Sequence, residues 1–377
     1  MEVSAAPAIR LTDAQRRDWL RLIRSDGVGP VTFRELINHF GSAAAALHAL
    51  PDLGARGGRR LRVWPKDDAD RELAATAKLG AALVAIGEPE YPAWLRAAEG
   101  APPLIAVRGN MKVLARPMIA IVGSRNASIA GRKFALVIAR DLGGAGFAIA
   151  SGLAVGIDAA AHEGSLATGT VAVFAGGLDR IYPADNAALA ERILADGVHL
   201  TETPLGYEPR AQDFPRRNRI ISGLAMGIVV VEAADRSGSL VTARRATDQG
   251  RLVFAVPGSP LDPRSAGTNR LIKDGATMVT SVEDILAEVQ PMIGRAPQPP
   301  AGLAEPDPIT PRAVAAPTDA ADADRAKVEA ALGKAPVTHD EIVRFTGLKP
   351  AVVHLILLEL DLAGRIERHP GQRVSLA

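Results

Sequence analysis

The sequence predicts an α/β protein: a Rossmann-like, doubly wound and mostly parallel sheet between a helical N-terminal domain and a winged-helix-like C-terminal domain. Three observations carry that prediction. Apolar strand-like runs and amphipathic helical runs alternate from about residue 116 to residue 290. A stretch dense in proline, alanine and small polar residues, 291–321, breaks all periodicity and reads as a linker. The segments outside these two carry helical spacing, and the last ends in two short strand-like runs. The domain boundaries follow: 1–78 helical and of helix-hairpin-helix or SAM-like type, 79–290 extended Rossmann-like, 291–321 linker, 322–377 winged-helix-like.

Composition narrows the functional classes. A chain of 377 residues, 47% of them hydrophobic, has room for two or three cored domains. The net charge of +2 implies no global attraction to polyanions, and a pI near 9.0 points to local basic patches. The absence of cysteine excludes disulfides, thiolate metal sites and thiol catalysis. Met1–Arg10 lacks the pattern of a signal peptide, and no apolar run reaches the roughly 18–20 residues that span a bilayer. A cytoplasmic protein without membrane contact is expected.

In chain order, Trp19, Leu20, Leu22 and Ile23 mark one helical face, and Leu36, Ile37 and Phe40 another. Between them Asp26-Gly-Val-Gly-Pro30 has the form of a helix-hairpin-helix turn, whose glycines bring backbone N–H groups to a DNA phosphate; a plain αα-hairpin uses the same residues. The basic Gly54–Arg60 stretch follows as a phosphate-touching or a solvated loop. Ala82–Ile86 supplies a strand before the main domain. Strands are then expected at Met118–Val122, Phe147–Ala150, Thr170–Phe174, Ile228–Val231, Leu252–Val256 and Thr277–Val279. Helices are expected at Ser128–Leu142, Asp158–Ala167, Asn186–Ala195, Ser239–Gln249 and Val282–Val289, with another starting near Asn218. In such sheets the ligand lies at the carboxyl ends of the strands.

Beyond the linker, a helix over about Asp324–Leu332, a capping box of Thr338 and Glu341, a helix over Ala351–Leu360 and two strands about Pro370-Gly371 give winged-helix order. The recognition helix has no Lys or Arg from Ala351 to Leu362 and carries Glu359 and Asp361. That favours a protein-contact or structural role over reading bases.

The chemistry-bearing stretches lie after the strands. Gly123-Ser124-Arg125 ends an apolar strand and opens a helix, which suits a phosphate; the further glycines of a dinucleotide fingerprint are missing, so NAD is disfavoured. Arg216, Arg217 and Arg219 bracket Asn218 behind Phe214, a combination that stacks a base and pairs with phosphates, or else a solvated basic turn. Ser237-Gly238-Ser239 caps a helix and forms an anion nest. Asp158 and His162 are spaced for one helix face, but no third ligand accompanies them, and neither a metal nor a cofactor is expected. Nucleotide phosphoribohydrolases also build phosphate turns on this fold. Their catalytic carboxylate has no counterpart in the helix after Ser239, where Arg244 and Arg245 stand; Glu232 or Asp235 would have to substitute. A nucleotide-sensing pocket with the winged helix as output is a third reading.

Taken together, Ile121-Val-Gly-Ser-Arg125, Ser151-Gly-Leu-Ala-x-Gly-Ile-Asp158-x-x-x-His162, Gly177-Leu-Asp-x-x-Tyr-Pro183, Phe214-Pro-x-Arg-Asn-Arg219, Ser237-Gly-Ser-Leu-x-Thr-Ala243, Val256-Pro-Gly258 and Gly267-Thr-Asn-x-Leu-Ile-Lys273 resemble, in order, the motif series of the DprA (DNA-processing protein A, Smf) family. The resemblance covers nearly half the chain. It implies a non-enzymatic mediator that binds single-stranded DNA, protects it and loads RecA recombinase during natural transformation. It further implies a homodimer formed through the Rossmann-like domain and single-strand-binding protein as a further partner. Transferred to matching positions, it implies that Gly123, Ser124 and Arg125 hold phosphate and that Ser151 and Gly152 extend the nest. Arg217, Asn218 and Arg219 would clamp backbone, Phe214 would meet a base, Ser237, Gly238 and Ser239 would add the helix nest, and Lys273 would add charge.

Overall fold

The computed structural model describes residues 9–294, 320–369 and 371–377. Most of the expected linker, 295–319, and Pro370 of the expected turn lie outside the described residues. The chain forms two compact units, one of residues 72–300 with the first ten, the other of residues 11–71 with 301–377.

The second unit begins with α1 (Asp13–Arg24), α2 (Pro30–Phe40), α3 (Ala43–Arg56) and the first part of α4 (Lys66–Lys78). A capping box of Thr12 and Gln15 starts α1, and Pro30 starts α2 at a position where its missing N–H costs nothing. Trp19 packs edge-on against Phe33, ring centroids 5.0 Å apart, in the core between these helices.

The first unit carries a nine-stranded sheet: β1 (Ala81–Ala85), β2 (Leu104–Gly109), β3 (Met118–Gly123), β4 (Ala148–Ser151), β5 (Thr170–Val173), β6 (Val198–Thr201), β7 (Gly227–Val231), β8 (Leu252–Ala255) and β9 (Thr277–Met278). The short α5 (Ala93–Arg96) lies between β1 and β2. The strand order is β1-β2-β6-β5-β4-β3-β7-β8-β9. β1–β2 and β2–β6 pair antiparallel, and every other pair is parallel. The intervening helices are α6 (Ile129–Gly144), α7 (Ile157–Ser165), α8 (Ala187–Ile193), α9 (Asp213–Leu224), α10 (Gly238–Asp248), α11 (Ala266–Lys273) and α12 (Val282–Val289). The order reverses between β3 and β7, which places the ligand crevice beyond their carboxyl ends.

The central strands are buried on both faces. Ile119, Ile121, Ile149, Val229 and Val231 are sealed against Ile138, Leu142 and Phe147, which is why they read as continuous apolar runs. Several details differ from the sequence reading, among them the additional β2 and α11. β6 is an additional strand, its apolar pattern interrupted by the buried His199, which contacts the Ala190 carbonyl at 2.9 Å. Helix α9 starts at Asp213, five residues earlier than expected, with Pro215 in its first turn.

After the linker, the second unit resumes with α13 (Asp322–Ala331), β10 (Val337–Thr338), α14 (His339–Thr346), α15 (Pro350–Leu362), β11 (Ile366–His369) and β12 (Arg373–Leu376), a winged helix whose sheet order is β10-β12-β11. Its recognition helix is not free. Nearly every residue from Val352 to Leu362 is buried, and α15 packs on α2 and α3. Thr32 donates to Asp361 at 2.8 Å, and Arg368 bridges Glu35 (2.5 and 2.6 Å) and Asp361 (3.1 Å). Glu359, 1% exposed, accepts two hydrogen bonds from Arg325, at 2.8 and 3.0 Å. At the hairpin, a Cβ on Gly27 (φ +73°) would lie 2.7 Å from the Leu362 carbonyl, so this glycine serves packing against α15.

Candidate nucleic-acid interface

A groove of about 810 Å³ opens at the carboxyl ends of β3 and β7, walled by the first turns of α9 and α10. Its apex depends on Gly123. A Cβ there would stand 1.8 Å from the Val231 carbonyl, so only glycine lets β3 end against β7. Ser124 and Arg125 follow along the groove, with Gly156 packed so closely that a Cβ on it would lie 2.3 Å from the Ser124 carbonyl.

Arg125 is exposed, and its guanidinium carbon lies 5.3 Å from the centroid of the Phe214 ring. Phe214 in turn meets the half-exposed Tyr182, centroids 5.4 Å apart and planes at 50°. Two aromatic rings thus lie beside a solvent-facing cation, a composition suited to stacking bases. On the opposite wall Ser237 caps α10, accepting from the Ser239 amide at 3.3 Å, and the two hydroxyls lie 2.7 Å apart. Gly238 is exposed, with open space where a Cβ would go. The positive end of α10 and the exposed Arg236 thus face the same groove.

Several expected contact residues have other duties. Arg217 is 6% exposed: it donates to the Gly152 carbonyl at 2.6 Å and to the Val173 carbonyl, and its Nε donates to Asn218 Oδ1 at 3.2 Å. Burial pulls this guanidinium down to about 10, against the opposing pull of Asp158. Asp158, itself pushed up by burial and held down chiefly by Arg217, accepts from the amides of Gly152 (3.1 Å) and Ala154 (3.5 Å). Ser151 donates to the Ile121 carbonyl at 2.6 Å. Arg217 is therefore part of the floor of the groove, and Ser151 and Gly152 are buried and do not line it. Their hydrogen-bonding capacity is spent inside, tying β3, β4 and β5 to α7 and α9. Arg219 points elsewhere, pairing with Glu202 and the Gly100 carbonyl, and Lys273 is exposed at the end of α11; neither lines the groove. Of the basic α9 cluster, Arg217 and Asn218 reach the groove, along with Phe214.

Among the groove residues the sequence reading missed are Tyr182, Arg236 and Asn126. Tyr182 had a signal, an aromatic before a proline in a quoted motif. Arg236 had a weaker one, a cation directly before the helix cap.

The carboxylates near the groove are engaged in hydrogen bonds and ion pairs. Glu232, at φ +54°, accepts from the amide (2.9 Å) and hydroxyl of Ser128 and so caps α6. Asp235 pairs with Arg270 at 3.3 Å. Asp158 is the one carboxylate among the described residues lining the groove. His162 is buried and 2.7 Å from the Thr170 hydroxyl, with burial pushing its imidazole down to about 3. Among the described residues no group of three or more His, Asp or Glu is placed to hold a metal, and no helix is long and apolar enough to cross a membrane.

The fold and groove define a Rossmann-like domain with a cationic, aromatic-walled crevice, in a chain that also carries a helical and a winged-helix segment. Family models agree for all three parts: DNA recombination-mediator protein A over residues 82–290, a DprA-like N-terminal HHH domain over 13–75 and a DprA winged helix domain over 311–372. The chain belongs to the DprA family. It is 38% identical to the protein Smf of Escherichia coli, across 86% of this chain and 85% of that one. It is 41% identical to the DNA processing protein DprA of Bacillus subtilis, across 58% and 75%. Among solved structures, DNA processing protein A of Streptococcus pneumoniae matches with a TM-score of 0.62 and 35% identity, covering 74% of this chain and 99% of that one. DNA processing protein A of Helicobacter pylori, described for its single-stranded DNA binding mode, matches with a TM-score of 0.51 and 27% identity, across 56% and 96%.

Proposed function

We propose that this chain is a recombination mediator that binds single-stranded DNA in the β3–β7 groove, without bond chemistry, and loads RecA recombinase onto strands taken up in natural transformation. The observation that carries the reading is the pairing of the Phe214 and Tyr182 faces with Arg125, Arg236 and the α10 N-terminus around one open groove. Stacking is indifferent to sequence and the cations meet phosphate, which is what holding an arbitrary strand requires. The single-stranded DNA binding of the H. pylori relative supports it. A cytoplasmic homodimer joined through the Rossmann-like domain, with single-strand-binding protein as a further partner, completes the proposal.

The test is fluorescence anisotropy of a labelled homopolymer strand across a salt series, with the intact protein and with an Arg125→Ala/Arg236→Ala variant. Two lost phosphate contacts lower the slope of log K against log salt by about 1.4, and Phe214→Ala/Tyr182→Ala weakens binding with the slope unchanged. Strand binding unaltered in both variants overturns the assignment. RecA loading is read separately, as the rate of filament formation on strands coated with single-strand-binding protein.

A further inference from the structure

We infer that the loop Gly57–Arg62 of the second unit is a separate, sequence-independent contact for nucleic-acid phosphates. Residues 53–66 contain five cations, Arg56, Arg59, Arg60, Arg62 and Lys66, and no acid. Arg59 and Arg60 are exposed, and no carboxylate of the described residues pairs with either. Arg62 lies 5.6 Å from the centroid of the Trp64 ring, with only a long, 3.9 Å ion pair to Asp68. Gly58, at φ +92°, has open space where a Cβ would stand, so a phosphate can come close to the backbone.

The loop is already ordered. The Arg59 amide donates to the Gly54 carbonyl at 2.8 Å, and the Leu61 side chain fills the space beside Gly54. Asp26 clasps Arg62 from both sides, its amide donating to the Arg62 carbonyl (3.1 Å) and its carboxylate accepting from the Arg62 amide (3.2 Å). The Trp64 amide donates to the Ser25 hydroxyl at 3.0 Å. The α1–α2 turn is thus the support of the basic loop. Its Gly27 is closed off by the Leu362 carbonyl, and the buried α15 presents no base-reading face. Unpaired guanidiniums on a pre-ordered loop lose little freedom on meeting phosphate. Leu61 is 8% exposed and Trp64 half-buried, so the loop has no open apolar pocket in which to anchor a peptide side chain. Evenly charged nucleic-acid backbone fits it better than an acidic protein segment.

The experiment uses the full chain with Arg59→Ala/Arg60→Ala, Arg59→Glu/Arg60→Glu and Arg59→Lys/Arg60→Lys, each alone and combined with Arg125→Ala/Arg236→Ala. Anisotropy follows a long homopolymer strand, a duplex and an acidic peptide across a salt series. The alanine pair is expected to lower the salt slope on single strands by about 1.4, the glutamates to lower affinity further, and the lysines to keep the parent slope. A salt slope and affinity unchanged by the glutamate pair, for strand and duplex alike, would overturn the inference. So would an equal loss in the lysine pair, or loss of peptide binding alone. Because the groove variants are separate, a failure of the groove assignment leaves the loop effect measurable, and the reverse.

Discussion

Arg217 and Arg125 lie within one groove, and alanine at each should fail differently. The Arg217 guanidinium is the buried donor to the Gly152 and Val173 carbonyls and the chief opposite charge acting on buried Asp158. Its removal leaves two buried carbonyls short of a donor, at about 1–3 kcal/mol each. It also takes away the main positive charge that holds buried Asp158 ionised. Protonation of Asp158, already pushed up by burial, offsets part of this. A net destabilisation of about 4 kcal/mol is expected, and at about 2–4 °C per kcal/mol the melting temperature falls by about 8–16 °C. Arg125 is exposed and makes one ring contact, so Arg125→Ala should melt with the parent while losing strand affinity. Thermal melting followed by fluorescence, paired with strand binding below the melting range, separates the two. An Arg217→Ala protein that melts with the parent would refute the floor argument. So would an Arg125→Ala protein that melts early.

Two further outcomes follow from the same geometry. Gly123→Ala forces a Cβ against the Val231 carbonyl at 1.8 Å and the Ile157 side chain at 2.7 Å, and should cost about 3 kcal/mol or more. Gly144→Ala, in open space at the end of α6, should stabilise by about 0.4–1 kcal/mol; urea midpoints that do not differ in opposite directions from the parent would contradict both. Burial holds His162 down to about 3 and His199 to about 4, so the folded protein refuses protons that the unfolded chain accepts near pH 6.5. Their contribution is complete above about pH 6.5 and falls below it, by about 1.4 kcal/mol per pH unit for each histidine until the folded values are reached. A urea midpoint that stays flat from about pH 6.5 to about pH 4.5 would count against this.

The sheet was legible because its central strands are buried on both faces, so that Met118–Val122 and Ile228–Val231 announce themselves as unbroken apolar runs. β6 was not, since His199 and Thr201 spend their polarity on backbone carbonyls that only the folded chain supplies. Gly123, Arg125, Phe214 and the Ser237 cap were readable as local chemistry, a strand end or a helix start. The distinction between Arg216, Arg217 and Arg219 was not. It depends on the phase of α9, which the early start at Asp213 sets, and on carbonyls at the ends of β4 and β5 far away in sequence. Phase turns Arg216 outward, Arg217 into the floor and Arg219 onto Glu202.

The acidic recognition helix makes the same point in the second unit. Glu359 and Asp361 argued from sequence against DNA reading, and the structure supplies their positive use. Glu359 holds Arg325, and Asp361 takes Thr32 and Arg368, the latter also gripping Glu35 on α2. Val353, Leu355, Ile356 and Leu357 are 2% exposed or less, and α15 packs on α2 and α3 as well as on α13 and α14. Freeing α15 to enter a DNA groove would uncover the part of that surface which α2 and α3 cover, at about 1.5–3 kcal/mol for each side chain fully exposed. In this unit α15 packs on α2 and α3, and Arg59 and Arg60, which no carboxylate of the described residues pairs, stand on a loop whose Gly57 abuts the Glu359 carbonyl of that helix.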